Sequence, residues 1–230
     1  MLLSVEGVSK RFGGVVALHE VSLKIDKAEL VGLLGLNGSG KSTLMDILSG
    51  SLAPDSGSIN FAGYLTTGES PFKLARRGLS RVLQRSVLPA DLSVFEQVAV
   101  GLWANSKGRS WETVYDWLDF VALLGKRESL PSQLSYYEQR KVELARALVS
   151  SPAIVLVDEL TSGFSVDERV EARSLLASLK EKGIAALVIE HSLDVVESIV
   201  DRVVVLDAGK KIFDGSIVDY RREEMKDAAS

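Results

Sequence analysis

The chain has 230 residues, 46% of them hydrophobic and 25% charged, which suits one large α/β domain and excludes disordered, collagenous and disulfide-stapled classes. Lys and Arg total 27 against 31 Asp and Glu, so the overall basic excess of a nucleic-acid binder is missing. There is no cysteine, which removes disulfides, thiolate metal sites and a thiol nucleophile, and fits a reducing compartment.

The opening MLLSVEGVSK turns charged at Glu6 and is expected to be a first strand rather than a secretory leader. Val21, Leu23 and Ile25 alternate with polar residues, a turn follows at residues 26–29, and Leu30–Leu34 is an apolar strand. A glycine-rich loop spans residues 35–40, after which Leu44, Ile47 and Leu48 recur at helical spacing until Gly50 stops the helix. From about residue 85 to Pro131 the pattern is helical, and it holds Trp103, Trp111 and Trp117. Trp111, Tyr115, Leu118 and Ala122 form a stripe expected to be ordinary core. A helix over residues 138–149 then leads, past Pro152, to an apolar strand over 154–157 that ends in Asp158 and Glu159. The cycle repeats: Ala172, Leu175, Leu176 and Leu179 stripe a helix ended by Gly183, and residues 184–189 form a strand ending in Glu190 and His191. A last strand over 203–206 turns at Asp207-Ala208-Gly209-Lys210, and the charged tail from Tyr220 is expected to fray. This alternation predicts βαβ units and a mostly parallel sheet. No apolar run approaches the roughly 20 residues of a membrane-spanning helix, so membrane association is expected to run through a partner.

Gly35-Leu36-Asn37-Gly38-Ser39-Gly40-Lys41-Ser42 matches G-x-x-x-x-G-K-[ST] between a strand and a helix, the context this motif requires. Its backbone N–H groups at Asn37, Gly38, Ser39 and Gly40 converge on phosphate oxygens, and the helix N-terminus adds partial positive charge. Lys41 reaches the β- and γ-phosphates, Ser42 holds Mg²⁺, and Thr43 adds an α-phosphate contact. Asp158 and Glu159 end a buried strand, where Asp158 can hold Mg²⁺ through water and Glu159 can act as general base. His191, also past a strand end, can bond a γ-phosphate or order water. In parallel sheets ligands gather at the carboxyl ends of strands, and three such ends carry these residues. His19 is expected in a surface turn without a role. The absence of an Asn-Lys-x-Asp element disfavours a guanine nucleotide.

In order and spacing these motifs resemble the nucleotide-binding subunit of an ABC transporter over nearly the whole chain. The resemblance implies a P-loop NTPase (RecA-like) core with a mostly parallel sheet and an N-terminal antiparallel β subdomain, formed by residues 1–84 and 138–230. It also implies an inserted α-helical subdomain at about residues 85–137. Phe12 then falls where the family stacks adenine, and Gln84 at the loop that touches Mg²⁺ and water. Leu134-Ser135-Tyr136-Tyr137-Glu138-Gln139 stands in place of the signature Leu-Ser-Gly-Gly-Gln, Ser135 facing a partner's ATP. Tyr137 replaces a glycine and is expected to crowd that site; Leu160 replaces a proline, and residues 162–165 lack the usual aspartate. The implied cofactors are ATP and Mg²⁺. The implied partners are transmembrane permease subunits, a second ATPase subunit forming a homodimer or an asymmetric heterodimer, and indirectly a solute-binding protein, with no nucleic acid. The implied place is the cytoplasmic face of the membrane. The motifs look most like the branched-chain amino-acid or urea/amide uptake branch; a degenerate regulatory subunit and an export ATPase stay open as alternatives.

Overall fold

The computed structural model describes residues 1–83, 88–104, 110–190 and 196–227. Strands β1 (Leu3–Phe12), β2 (Val15–Ile25), β4 (Ser56–Phe61) and β5 (Tyr64–Leu65) form an antiparallel sheet in the order β2-β1-β4-β5. Strands β3 (Leu30–Leu34), β6 (Leu79–Val82), β7 (Ile154–Asp158), β8 (Ala185–Ile189), β9 (Arg202–Asp207) and β10 (Lys210–Gly215) form a second sheet in the order β10-β9-β3-β8-β7-β6. All its neighbours pair in parallel except the β9–β10 hairpin.

Strands β3, β7 and β8 are buried along their whole length, as apolar runs in a sheet covered on both faces should be. Their alternation divides the core. Ile154 and Leu156 face one cluster with Leu44, Met45 and Ile47 of helix α1 (Lys41–Leu48), Leu74 of α2 (Pro71–Arg77) and Phe61 of the antiparallel sheet. Val155 and Val157 face the other, built by helices α3 (Val94–Ala99), α4 (Trp111–Phe120), α5 (Tyr136–Leu148) and α6 (Val166–Glu181). Helix α7 (Ile217–Asp227) closes the chain on a small cluster around Leu34 and Val203.

Strands β1, β3, β7, β8 and β9 fall where the apolar runs place them, whereas β2 begins earlier, at Val15, and β4, β5 and β6 are not foreseen by those runs. The tail does not fray from Tyr220, because that ring packs on Phe213 at 5.3 Å and the segment is helical to Asp227. His19 lies inside β2 rather than in a turn. The tryptophan stripe also differs from expectation. Of the expected stripe, Leu118 goes into the core but Trp111 is 61% exposed, because α4 buries the face of Val114, Trp117 and Leu118; Trp103, on the preceding 3-10 turn, is 67% exposed. Trp111 stacks on Phe95 at 5.8 Å, on the outside of the helices.

The helical segment sits close against α5. Gly101 lies in a 3-10 turn, Val100–Ala104, where a Cβ would stand 2.2 Å from the Arg146 carbonyl oxygen and 2.5 Å from a Val149 methyl. Gly101→Ala is therefore expected to cost about 1–3 kcal/mol through overpacking, read as a lowered urea midpoint; an unchanged midpoint would contradict this packing.

Candidate functional site

Parallel pairing sets the site. Leu33 of β3 is level with Ile189 of β8, and Ile189 is level with Asp158 of β7. The phosphate loop, Glu190 and the Asp158-Glu159 pair thus leave adjacent strands at one edge.

The loop needs glycine where the chain turns hard. Gly38 and Gly40 have φ of 81° and 106°, and a Cβ on Gly40 would meet the Ala17 carbonyl oxygen at 2.6 Å. Gly209 in the β9–β10 turn donates to the Ser39 carbonyl at 3.0 Å, bracing the loop from behind, while its own carbonyl accepts from His19 N–H at 2.8 Å. Helix α1 starts without a side-chain cap and without an acidic residue in its first turn. Its N-terminal N–H groups and partial positive charge are left for an anion. Ser39 Oγ is buried in the same loop without a hydrogen-bond partner. Lys41 Nζ turns back on the Gly35 and Leu36 carbonyls at 2.6 and 2.9 Å. Burial holds its pKa below the ordinary lysine value, against the pull of Glu159 and Asp158. Asn37, Gly38 and Ser42 are exposed, and Thr43 is half-buried beside them. These features fit a polyphosphate. An exposed hydroxyl at Ser42 and a carboxylate at Asp158 are the hard oxygen donors that fit Mg²⁺.

Asp158 is buried, and burial raises its pKa while the Arg81 guanidinium pulls it down. Arg81, on β6, donates to Asp158 Oδ2 at 3.2 Å and to Asp46 Oδ1 of α1 at 2.6 Å, and bonds Ser49 Oγ at 3.0 Å. It ties the acidic strand end to the helix that follows the phosphate loop. Glu159, half-buried, holds a left-handed backbone with φ 48°, its N–H bonded to the Ile189 carbonyl at 3.0 Å. Phe12 closes β1 opposite Val15 and is 51% exposed, with the Lys10 ammonium 5.8 Å over its ring. Gln84 and His191 lie outside the described residues.

Ser135 caps α5: its Oγ accepts the Glu138 N–H at 3.2 Å, its N–H donates to Glu138 Oε2 at 3.0 Å, and its O–H remains able to donate. The two tyrosines after it part company. Tyr137, expected to crowd a facing phosphate, is buried, its ring edge-on to Phe164 at 4.8 Å with Lys141 Nζ 5.0 Å above it. Burial and the neighbouring Glu171 carboxylate push its phenol above the ordinary value. The residue at the surface is Tyr136, 53% exposed and packed edge-on to Phe164 at 6.1 Å. Leu160 and Phe164 are buried and line the same small apolar pocket as Tyr137, with Leu144 and Ala172. The unusual residues of the two loops therefore pack on one another.

Sequence reading missed Arg81 and Thr161. Arg81 was visible only as a lone cation in a short strand, and the Thr161 bond to Glu190 spans 29 residues.

A family model described as ABC transporter matches residues 18–162. A sulfate/thiosulfate import ATP-binding protein of Chromobacterium violaceum is 38% identical over 210 residues, 90% of this chain and 57% of that protein. A high-affinity branched-chain amino acid transport ATP-binding protein of Pseudomonas aeruginosa is 31% identical over 233 residues, covering 94% of this chain and 91% of its own. A methionine import ATP-binding protein of Cupriavidus pinatubonensis is 34% identical, with 95% of this chain and 66% of that protein covered. The chain thus spans 57% of the sulfate relative and 66% of the methionine relative. Among solved structures, the ADP conformation of an ATP-binding cassette of an ABC transporter superposes with a TM-score of 0.87 at 28% identity, covering 96% of this chain and 93% of that one. A dimeric post-hydrolysis cassette bound to ADP and Pi superposes at 0.83 with 25% identity, covering 94% and 99%.

The inward placement of Tyr137 is testable. Tyr137→Ala is expected to cost roughly 3 kcal/mol of stability, and a double-mutant cycle with Phe164→Ala to give about 1 kcal/mol of coupling. Additive effects would mean the rings do not pair.

Proposed function

Because the chain belongs to the ABC transporter family, we propose that it binds and hydrolyses ATP to drive solute import through membrane permease subunits. The observation that carries this reading is the uncapped N-terminus of α1 beside Lys41, on the same sheet edge as Asp158 and Glu159. The phosphate-loop amides of Asn37, Gly38, Ser39 and Gly40 hold the phosphates, and Lys41 exchanges the Gly35 and Leu36 carbonyls for β- and γ-phosphate oxygens. Thr43 adds a contact to the α-phosphate. Phe12 offers its exposed ring to adenine. Glu159 takes the proton of the attacking water, which His191 helps to order. Ser42, Gln84 and Asp158 would hold Mg²⁺, which when bound neutralises charge building on the phosphoryl oxygens.

Ser135, with the dipole of α5 behind it, faces the ATP of a second subunit, and the likeness to a dimeric cassette supports such assembly. Tyr136 is exposed at the start of α5 beside Ser135, and the second subunit is a copy of this chain or, given the altered signature loop with Tyr137 in place of glycine, a different ATPase subunit in an asymmetric heterodimer. No helix among the described residues is long and apolar enough to cross a membrane, so the permease supplies the path and this subunit sits peripherally at the cytoplasmic face. A groove of about 330 Å³, lined by Ser80, Leu83, Gly101, Arg146 and Ala147 between β6 and α5, is where a permease segment would dock against the helical subdomain. The solute is a branched-chain amino acid or small amide, delivered by a solute-binding protein. Support comes from the branched-chain relative, the one of the three that the chain matches along 91% of its length.

The test is uptake of labelled leucine into proteoliposomes holding the chain with its co-purifying membrane subunits. Lys41→Ala should leave the fold intact, lower ATP affinity by two orders of magnitude or more, roughly 3 kcal/mol or above, and abolish ATP-dependent uptake. Uptake at the wild-type rate in that variant would refute the reading.

A further inference from the structure

We propose that Glu190 is a positioning residue for hydrolysis, tying the loop that carries Glu159 to the carboxyl end of β8. The proposal rests on the assignment of Glu159 as the base. Glu190 is 5% exposed, and both its carboxylate oxygens are turned to one residue: Oε1 accepts the Thr161 N–H at 3.0 Å and Oε2 accepts the Thr161 hydroxyl at 3.0 Å. Two residues earlier the Glu159 N–H bonds the Ile189 carbonyl at 3.0 Å. The loop leaving β7 is thus pinned to the end of β8 at residues 159 and 161, on either side of buried Leu160.

The need for such a pin is visible in the backbone. Glu159 stands at φ 48°, a conformation that L residues other than Asn and Asp rarely adopt. Strained conformations persist where the surroundings over-determine them, and they gather at functional positions. The register bond between strands fixes only the N–H side of Glu159. The carbonyl side is fixed through Leu160 and Thr161, and there the anchoring group is a buried carboxylate, whose bonds to N–H and O–H are stronger than neutral ones. Without it the 160–161 peptide could rotate, and the Glu159 carboxylate would swing with it. A shift of about 1 Å in a reacting group costs up to two orders of magnitude in rate. Glu190 also lines the pocket bordered by Gly35, Leu36 and Asn37 of the phosphate loop, but its two bonds to Thr161 do not run to that loop, so loss of the tether should act on kcat more than on nucleotide affinity.

Four variants, each in the complex of the full chain with its co-purifying subunits, test this: Glu190→Ala, Glu190→Gln, Thr161→Val and Glu159→Gln. Glu190→Ala should lower kcat about tenfold or more with ATP affinity changed less than about twofold. Glu190→Gln should recover most of that loss, because its amide oxygen accepts the Thr161 N–H and its amide N–H donates to the Thr161 hydroxyl. Thr161→Val, which loses one bond and keeps the backbone one, should lose roughly two- to threefold in kcat. In a Glu159→Gln background Glu190→Ala should change the residual rate no further. A wild-type kcat in Glu190→Ala overturns the proposal. So does a joint fall of kcat, ATP affinity and melting temperature in Glu190→Ala while Thr161→Val stays at the wild-type rate; if Glu190→Ala fails to fold, a wild-type rate in Thr161→Val is decisive. Undiminished turnover in Glu159→Gln alone would remove the base assignment and the role of the tether with it.

Discussion

The parallel register of β3, β8 and β7 is the constraint on which the site depends. Hydrogen bonding between these strands leaves little freedom in how far each advances, and it brings Leu33, Ile189 and Asp158 to one level. Everything chemical follows within a few residues of that line: the phosphate loop after β3, the acidic pair at the end of β7 and the buried carboxylate after β8. The register holds because each strand is apolar on both faces, one lying on α1 and the antiparallel sheet, the other on α3 to α6. Sliding one strand by a single residue would exchange those faces.

Two side chains convert this edge into a connected unit. Arg81 reaches from β6 to Asp158 and Asp46, joining the acidic strand end to α1. Glu190 reaches from the end of β8 to Thr161, joining it to the loop after Glu159. Glu190 is buried and Arg81 largely so, and each makes several hydrogen bonds, the condition under which a buried charge is tolerated. The residues that depart from the family pattern obey similar logic. Tyr137, Leu160 and Phe164 look like separate anomalies along the chain, yet they fill one apolar pocket between α5 and the loop before α6. A large ring in place of glycine at 137 is matched by apolar partners at 160 and 164, so only Tyr136 alters the exposed surface.

What was legible in the sequence was what local pattern encodes. Buried parallel strands announce themselves as continuous apolar runs, and the phosphate loop by glycines at fixed spacing before Lys41. The Trp111 stripe misled because helical periodicity shows that a face is apolar without showing which side packs; α4 is rotated so that Val114, Trp117 and Leu118 go inward. The direction of Tyr137 depended on Phe164, 27 positions away, and the Arg81 and Glu190 tethers span 77 and 29 residues to their farthest partners. Such pairings arise from tertiary packing and leave no periodic trace.

The most direct test is Mg²⁺-ATPase activity of the chain purified with its partner subunits, beside the same complex carrying Glu159→Gln, with association of the ATPase subunits followed by light scattering. Turnover is expected, and Glu159→Gln should reduce it by two orders of magnitude or more, within the range for loss of a general base. ATP-dependent assembly should persist in the variant. Equal turnover in the two complexes would contradict the account.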